Sequence, residues 1–174
     1  MSLFDDPNVD KELIMDFCKE TNDLIVELEK ILAELEKNPS QKGMFGQFGQ
    51  KIDRIMGASK SFGLDEVATF CELGKTIGYK ADQTTDDKLL NVVVAILFDA
   101  VYLLSKMIAQ VKTGNSHVLK NLNTKAFVTR LKWLSDKFKH IERGSCVLTK
   151  EEEAKNKSSL DQSAIDDLMK SLGL

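Results

Sequence analysis

Between Asp10 and Lys37 an apolar residue returns every three or four positions, at Leu13, Phe17, Leu24, Leu28, Ile31, Leu32 and Leu35, with Thr21 on the same stripe and charge elsewhere. That period predicts one long amphipathic helix capped by Asp10. It stops at Asn38-Pro39, because proline disfavours helical geometry in the residue before it. A second helix is expected from about Gln41 to Phe62, with Phe45, Phe48, Ile52, Ile55 and Ser59 inward and Gly63 as its stop. A third opens at Leu64 or Asp65 and carries Val67, Phe70, Cys71 and Ile77 to about Tyr79, before a polar loop over Ala81–Asp86. A fourth spans about Asp87–Lys112, and a fifth covers about Thr124–Ile141 with Phe127, Leu131, Leu134 and Phe138 spaced for burial.

The period fails from Arg143 to Ser159, where Gly144-Ser145, Glu151-Glu152-Glu153 and Lys155-Asn156-Lys157-Ser158-Ser159 offer few apolar anchors. Such a composition reads as a flexible linker. Periodicity returns over residues 160–174: Ser159 and Gln162 form a capping box, and Ile165, Leu168, Met169 and Leu172 form one narrow apolar face. A helix this short is marginal alone in water and needs a surface to lie on. Two surfaces are open to it, a partner's groove and the chain's own bundle. The pattern therefore divides the chain into a bundle over 1–142, a linker over 143–159 and a tail helix over 160–174.

Composition narrows the function. With 174 residues, 43% hydrophobic and 29% charged, the chain suits one globular domain with an appendage. A formal charge of −3 and a pI near 5.5 argue against nucleic acid and point to protein partners. Cys18, Cys71 and Cys146 are odd in number and far apart, which favours idle thiols in a reducing, cytoplasmic compartment over a disulfide framework. Met1-Ser2-Leu3-Phe4-Asp5-Asp6 has neither the basic start nor the apolar run of a secretory leader. Leu89 to Val111 is apolar enough to suggest a membrane span, but Asp99 interrupts it and Asn91 and Lys106 flank it, so a core helix without membrane insertion is expected.

Candidate chemistry gathers in the second helix, from Gly49 to Gly63. Gly43, Gly46 and Gly49 each cost a helix roughly 1 kcal/mol relative to alanine, so close approach of another backbone or a frayed first turn must account for them. Over the first 112 residues, the chain resembles the phosphotransfer domain of the chemotaxis kinase CheA. The likeness rests on the long first helix ending Leu35-Glu36-Lys37-Asn38-Pro39 and on Asp53-Arg54-Ile55-Met56-Gly57-Ala58-Ser59-Lys60-Ser61-Phe62-Gly63-Leu64. Gly57 and Gly63 keep the family's separation, whereas Asp53 stands where that family has its phosphorylatable histidine and Met56 where it has lysine. The resemblance implies an all-α, histidine-phosphotransfer-like up-down bundle of four to five helices that does not carry phosphate on a histidine. His117 and His140 lie outside the motif and read as ordinary surface or core-edge residues.

The tail is similar to the C-terminal peptide of CheZ, the phosphatase of the response regulator CheY, in Asp161-Gln162, Ile165-Asp166-Asp167-Leu168-Met169 and Ser171-Leu172-Gly173-Leu174. In that family the peptide binds CheY as an amphipathic helix. The resemblance implies a CheY-like partner held by Asp161, Gln162, Ile165, Asp166, Asp167, Leu168, Met169 and Leu172. Gly49-Gln50-Lys51-Ile52-Asp53-Arg54 resembles the active helix of the same family, whose glutamine is catalytic. The family's aspartate four residues before that glutamine is Gly46 here, and Asp53 one turn later is the candidate substitute.

A glutamine amide can aim a water at an aspartyl phosphate whose charge the regulator's own metal and lysine stabilise. Gln50 and Asp53, three residues apart, share a helix face suited to that task. Gln47 is the alternate amide, and Asp87 with Asn91 is a second acid–amide pair at the start of helix four. No spacing supports a metal site or a cofactor, so magnesium is expected only on the partner. These residues imply either a CheZ-like phosphatase or a non-catalytic adaptor that binds CheY-like regulators, and leave homodimerisation open.

Overall fold

The computed structural model describes residues 2–5, 7, 9–41, 43–115, 117–120, 122–142 and 163–174, which are all-helical. The expected linker over 143–159, together with Cys146, Asp161 and Gln162, lies outside the described residues. The elements are a 3-10 turn at Leu3–Asp5 and helices α1 (Lys11–Lys37), α2 (Met44–Ser61), α3 (Asp65–Asp82), α4 (Asp87–Lys112), α5 (Lys125–Glu142) and α6 (Ser163–Ser171).

Helices α1 to α4 form an antiparallel bundle in which each packs on its neighbours in sequence and α4 closes back on α1. Contacts between helices fix the directions. Glu20 and Glu27 of α1 pair with Arg54 and Lys51 of α2, Asp53 of α2 meets Lys75 of α3, and Cys18 of α1 lies against the Ile108 carbonyl of α4. α5 runs antiparallel along α4, with Arg130 paired to Asp99. α6 lies on α3 beside α5.

The caps explain the boundaries. Asp10 accepts from the Glu12 and Leu13 amides, and Asp86 from those of Lys88 and Leu89, so each carboxylate satisfies two otherwise orphaned helix donors. α2 begins at Met44, because Gly43 enters it at φ +80°, outside helical geometry. It ends at Ser61 with Phe62 as its cap, and Gly63, φ +66°, turns the chain so that Leu64 N reaches back to the Ser59 carbonyl at 2.9 Å. α3 continues to Asp82 rather than stopping near Tyr79, because Lys80 and Ala81 are both buried and keep the last turn packed.

Burial follows the predicted stripes with one shift of register. Leu13 is 52% exposed, and Ile14 takes the inward position with Phe17, Cys18, Thr21, Leu24 and Ile25. All five inward positions expected in α2 are buried, as are the four in α5. α4 is long and apolar enough to cross a membrane by length and composition, and 56% of its most apolar window is buried inside the bundle. The loop after α4 is closed by the N-terminal segment, with Leu3 N donating to the Gly114 carbonyl at 2.6 Å. Gly114 sits at φ +85°, and a Cβ there would lie 2.3 Å from Ser2 Oγ. Only glycine meets both constraints.

Candidate functional site

The α2 face turned away from the core carries Gly46, Gln50, Asp53 and Gly57, whose spacing of four, three and four residues makes a single stripe. The stripe is bounded on both sides. Toward α1, Lys51 and Arg54 are held by Glu27 and Glu20. Toward α3, Lys75 Nζ donates to Asp53 Oδ1 at 2.6 Å and lies 5.7 Å from the centre of the Tyr79 ring. Hydrogen bonding to Lys51 and the charge of that ammonium hold the Glu27 carboxyl below its ordinary range.

Gln50 is exposed, and its amide has no hydrogen-bond partner among the described residues. Gln47, one turn earlier, is exposed as well. Asp53 is half-buried and spends one carboxylate oxygen on Lys75. Gln50 and Asp53 thus share the stripe, one uncommitted and one engaged. Met56 is half-buried and packs against the core, leaving the position beside the stripe apolar.

The glycines acquire a clearer description. A Cβ on Gly46 or Gly57 would meet nothing within 4 Å among the described residues beyond its own helix, so no other described segment packs against either one. A Cβ on Gly49 would touch the Tyr79 ring at 3.6 Å, an ordinary contact. Internal packing therefore requires none of the three. Gly46 and Gly57 leave the helix backbone bare on either side of Gln50 and Asp53.

The other candidates are committed elsewhere. Asp87 accepts from Ser40 Oγ, and Asn91 Nδ2 donates to the Asp87 carbonyl at 2.8 Å, so both serve the start of α4. His117 is mostly exposed, with Nδ1 3.2 Å from Glu66 Oε1, while the His140 side chain lies outside the described residues. Cys18 and Cys71 are buried, and burial raises both thiols above their ordinary range, with Lys112 opposing the shift at Cys18. No group of three or more His, Cys, Asp or Glu among the described residues is placed to hold a metal.

In the tail, Ile165 and Met169 are buried, Asp166, Leu168 and Leu172 are half-buried, and Asp167 is exposed. α6 faces α3 and α5, and Asp166 Oδ1 accepts from Ser135 Oγ at 3.2 Å. Sequence reasoning missed Lys75 and Tyr79. Neither carries a motif, and only the antiparallel register of α2 and α3 brings Lys75 to Asp53 across 22 residues of sequence. It also missed an apolar groove between α4 and α5 lined by Val92, Ala95, Ile96 and Trp133. No protein family, curated protein or solved structure was found to match the chain.

Proposed function

We propose that this protein is a CheZ-like chemotaxis protein on a histidine-phosphotransfer-like bundle, which binds a phosphorylated CheY-type response regulator and promotes hydrolysis of its aspartyl phosphate. The observation that carries the reading is the uncommitted Gln50 amide on an α2 stripe left bare by Gly46 and Gly57. An acyl phosphate is attacked by water in line with the bond to its leaving oxygen, so a catalyst that contributes no charge must at least hold that water. An amide suits the role because its oxygen accepts from the water while its NH2 group donates to a phosphoryl oxygen. Nothing in this step titrates near neutrality. Magnesium and the cation that stabilises the phosphoryl charge belong to the regulator, so the protein needs no cofactor of its own.

Asp53 has a subordinate role. With one oxygen on Lys75, it offers the other to a cation on the regulator and so sets the angle at which Gln50 enters. The tail supplies affinity: Asp161, Gln162, Ile165, Asp166, Asp167, Leu168, Met169 and Leu172 grip the regulator while the bundle acts on it. Tethering of this kind raises the local regulator concentration to about the millimolar range, which suits a brief second contact. The compartment is the cytoplasm, where the regulator works.

One observation favours a second reading, a pseudo-phosphotransfer adaptor that binds the regulator without hydrolysing anything. Asp53 is already neutralised by Lys75, and Gly46 offers no acid in the preceding turn. The decay of a phosphorylated CheY-type regulator, followed with and without the protein, separates the two. Faster decay at substoichiometric protein supports hydrolysis; binding with unchanged decay supports the adaptor.

A further inference from the structure

Ile165 and Met169 are 1% and 3% exposed, as deeply buried as residues of the four-helix core. Beside them, Ser135 of α5 is 2% exposed and donates to the Asp166 carboxylate. One turn further on, Leu172 and Leu174 line a cleft with Leu119 and Leu122 of the loop before α5. The apolar stripe of α6 is therefore spent on α3, α5 and that loop. A nine-residue helix has one such stripe, and it can face the bundle or the groove of another protein, but not both at once.

We infer that the seat of α6 on α3 and α5 is an autoinhibitory contact, which must open before the tail can hold a response regulator. The inference rests on the regulator-binding reading above and adds a closed state to it. In that state Ile165 and Met169 are withheld from the partner, and Asp166 is occupied by Ser135. The regulator binds only the fraction of molecules in which α6 has left its seat, so its apparent dissociation constant is raised by the inverse of that fraction. The contact suits opening: two buried anchors hold a helix too short to be stable alone.

The test uses the full chain and a CheY-type regulator held in its activated form by beryllofluoride. Ser135→Glu sets a second carboxylate against Asp166 and loosens the seat from the bundle side, leaving every tail residue intact. In a Cys146→Ser background, Lys120→Cys and Leu174→Cys, which line the same cleft and lie outside the residues proposed to grip the regulator, are joined by a short bismaleimide to lock the seat; Cys18 and Cys71 are buried and do not compete for the reagent. Ser135→Glu should bind the regulator about tenfold more tightly than wild type, and the locked chain at least about tenfold more weakly than the same chain before linking. Equal binding before and after linking overturns the inference while leaving regulator binding in place. So does unchanged affinity in Ser135→Glu when amide exchange shows α6 released. If neither wild type nor the unlinked chain binds the regulator, the regulator-binding reading falls and this inference falls with it. Should Ser135→Glu fail to fold, the linked pair decides alone.

Discussion

Gly57 stands on the exposed stripe of α2, where a side chain would have open space. Glycine in an exposed helix interior loses roughly 1 kcal/mol to alanine, so Gly57→Ala should raise the free energy of unfolding by up to about that amount in urea denaturation. If the bare backbone serves the regulator's approach, the same variant should dephosphorylate it more slowly. A variant that gains both stability and activity would remove Gly57 from the site. Gly114→Ala should act in the opposite sense, because it forces a left-handed backbone on alanine and a Cβ onto Ser2. A loss of roughly 1–3 kcal/mol is expected, read as a lower thermal midpoint. The sequence distinguishes these two glycines poorly. Gly114 lies among turn residues and Gly57 inside a helix, yet the contact that makes Gly114 indispensable comes from Ser2 and Phe4 at the far end of the chain.

At the scale of elements, period and caps made most of the fold legible. Asp10, Asp86 and Gly63 mark helix ends by local chemistry that needs no tertiary information. Where tertiary packing decided, the pattern slipped: Ile14 displaced Leu13 from the core, and buried Ala81 extended α3 into the expected loop. Gln50 was legible as an exposed amide from its place opposite Phe48, Ile52 and Ile55, but the engagement of Asp53 by Lys75 was not, since it depends on how α3 lies against α2. For α6 the sequence left two surfaces open, and the structure seats it on α3 and α5. The amides of α6 should exchange with solvent faster than those of α1 to α4, because few buried side chains hold it. Protection equal to that of the bundle would mean that α6 unfolds only with the whole domain.

For the whole molecule, burial of Cys71 gives stability a direction in pH. Desolvation pushes this thiol far above its ordinary range, so the folded chain keeps the proton that an unfolded chain loses from about pH 8.5. The contribution is fully present below that pH and declines as pH rises. Urea midpoints should fall between pH 8 and pH 10, and less steeply in Cys71→Ala; identical slopes would show that other groups set the decline. The same bundle holds α2 by ion pairs on the α1 side and on the α3 side, with the exposed Gln50 between them as the proposed acting amide. The most direct test of that account is the decay rate of a phosphorylated CheY-type regulator with wild type, Gln50→Ala and Gln47→Ala at equal concentration. Acceleration by wild type and Gln47→Ala, with none by Gln50→Ala, is the predicted result; full acceleration by Gln50→Ala, or none by wild type, would contradict it.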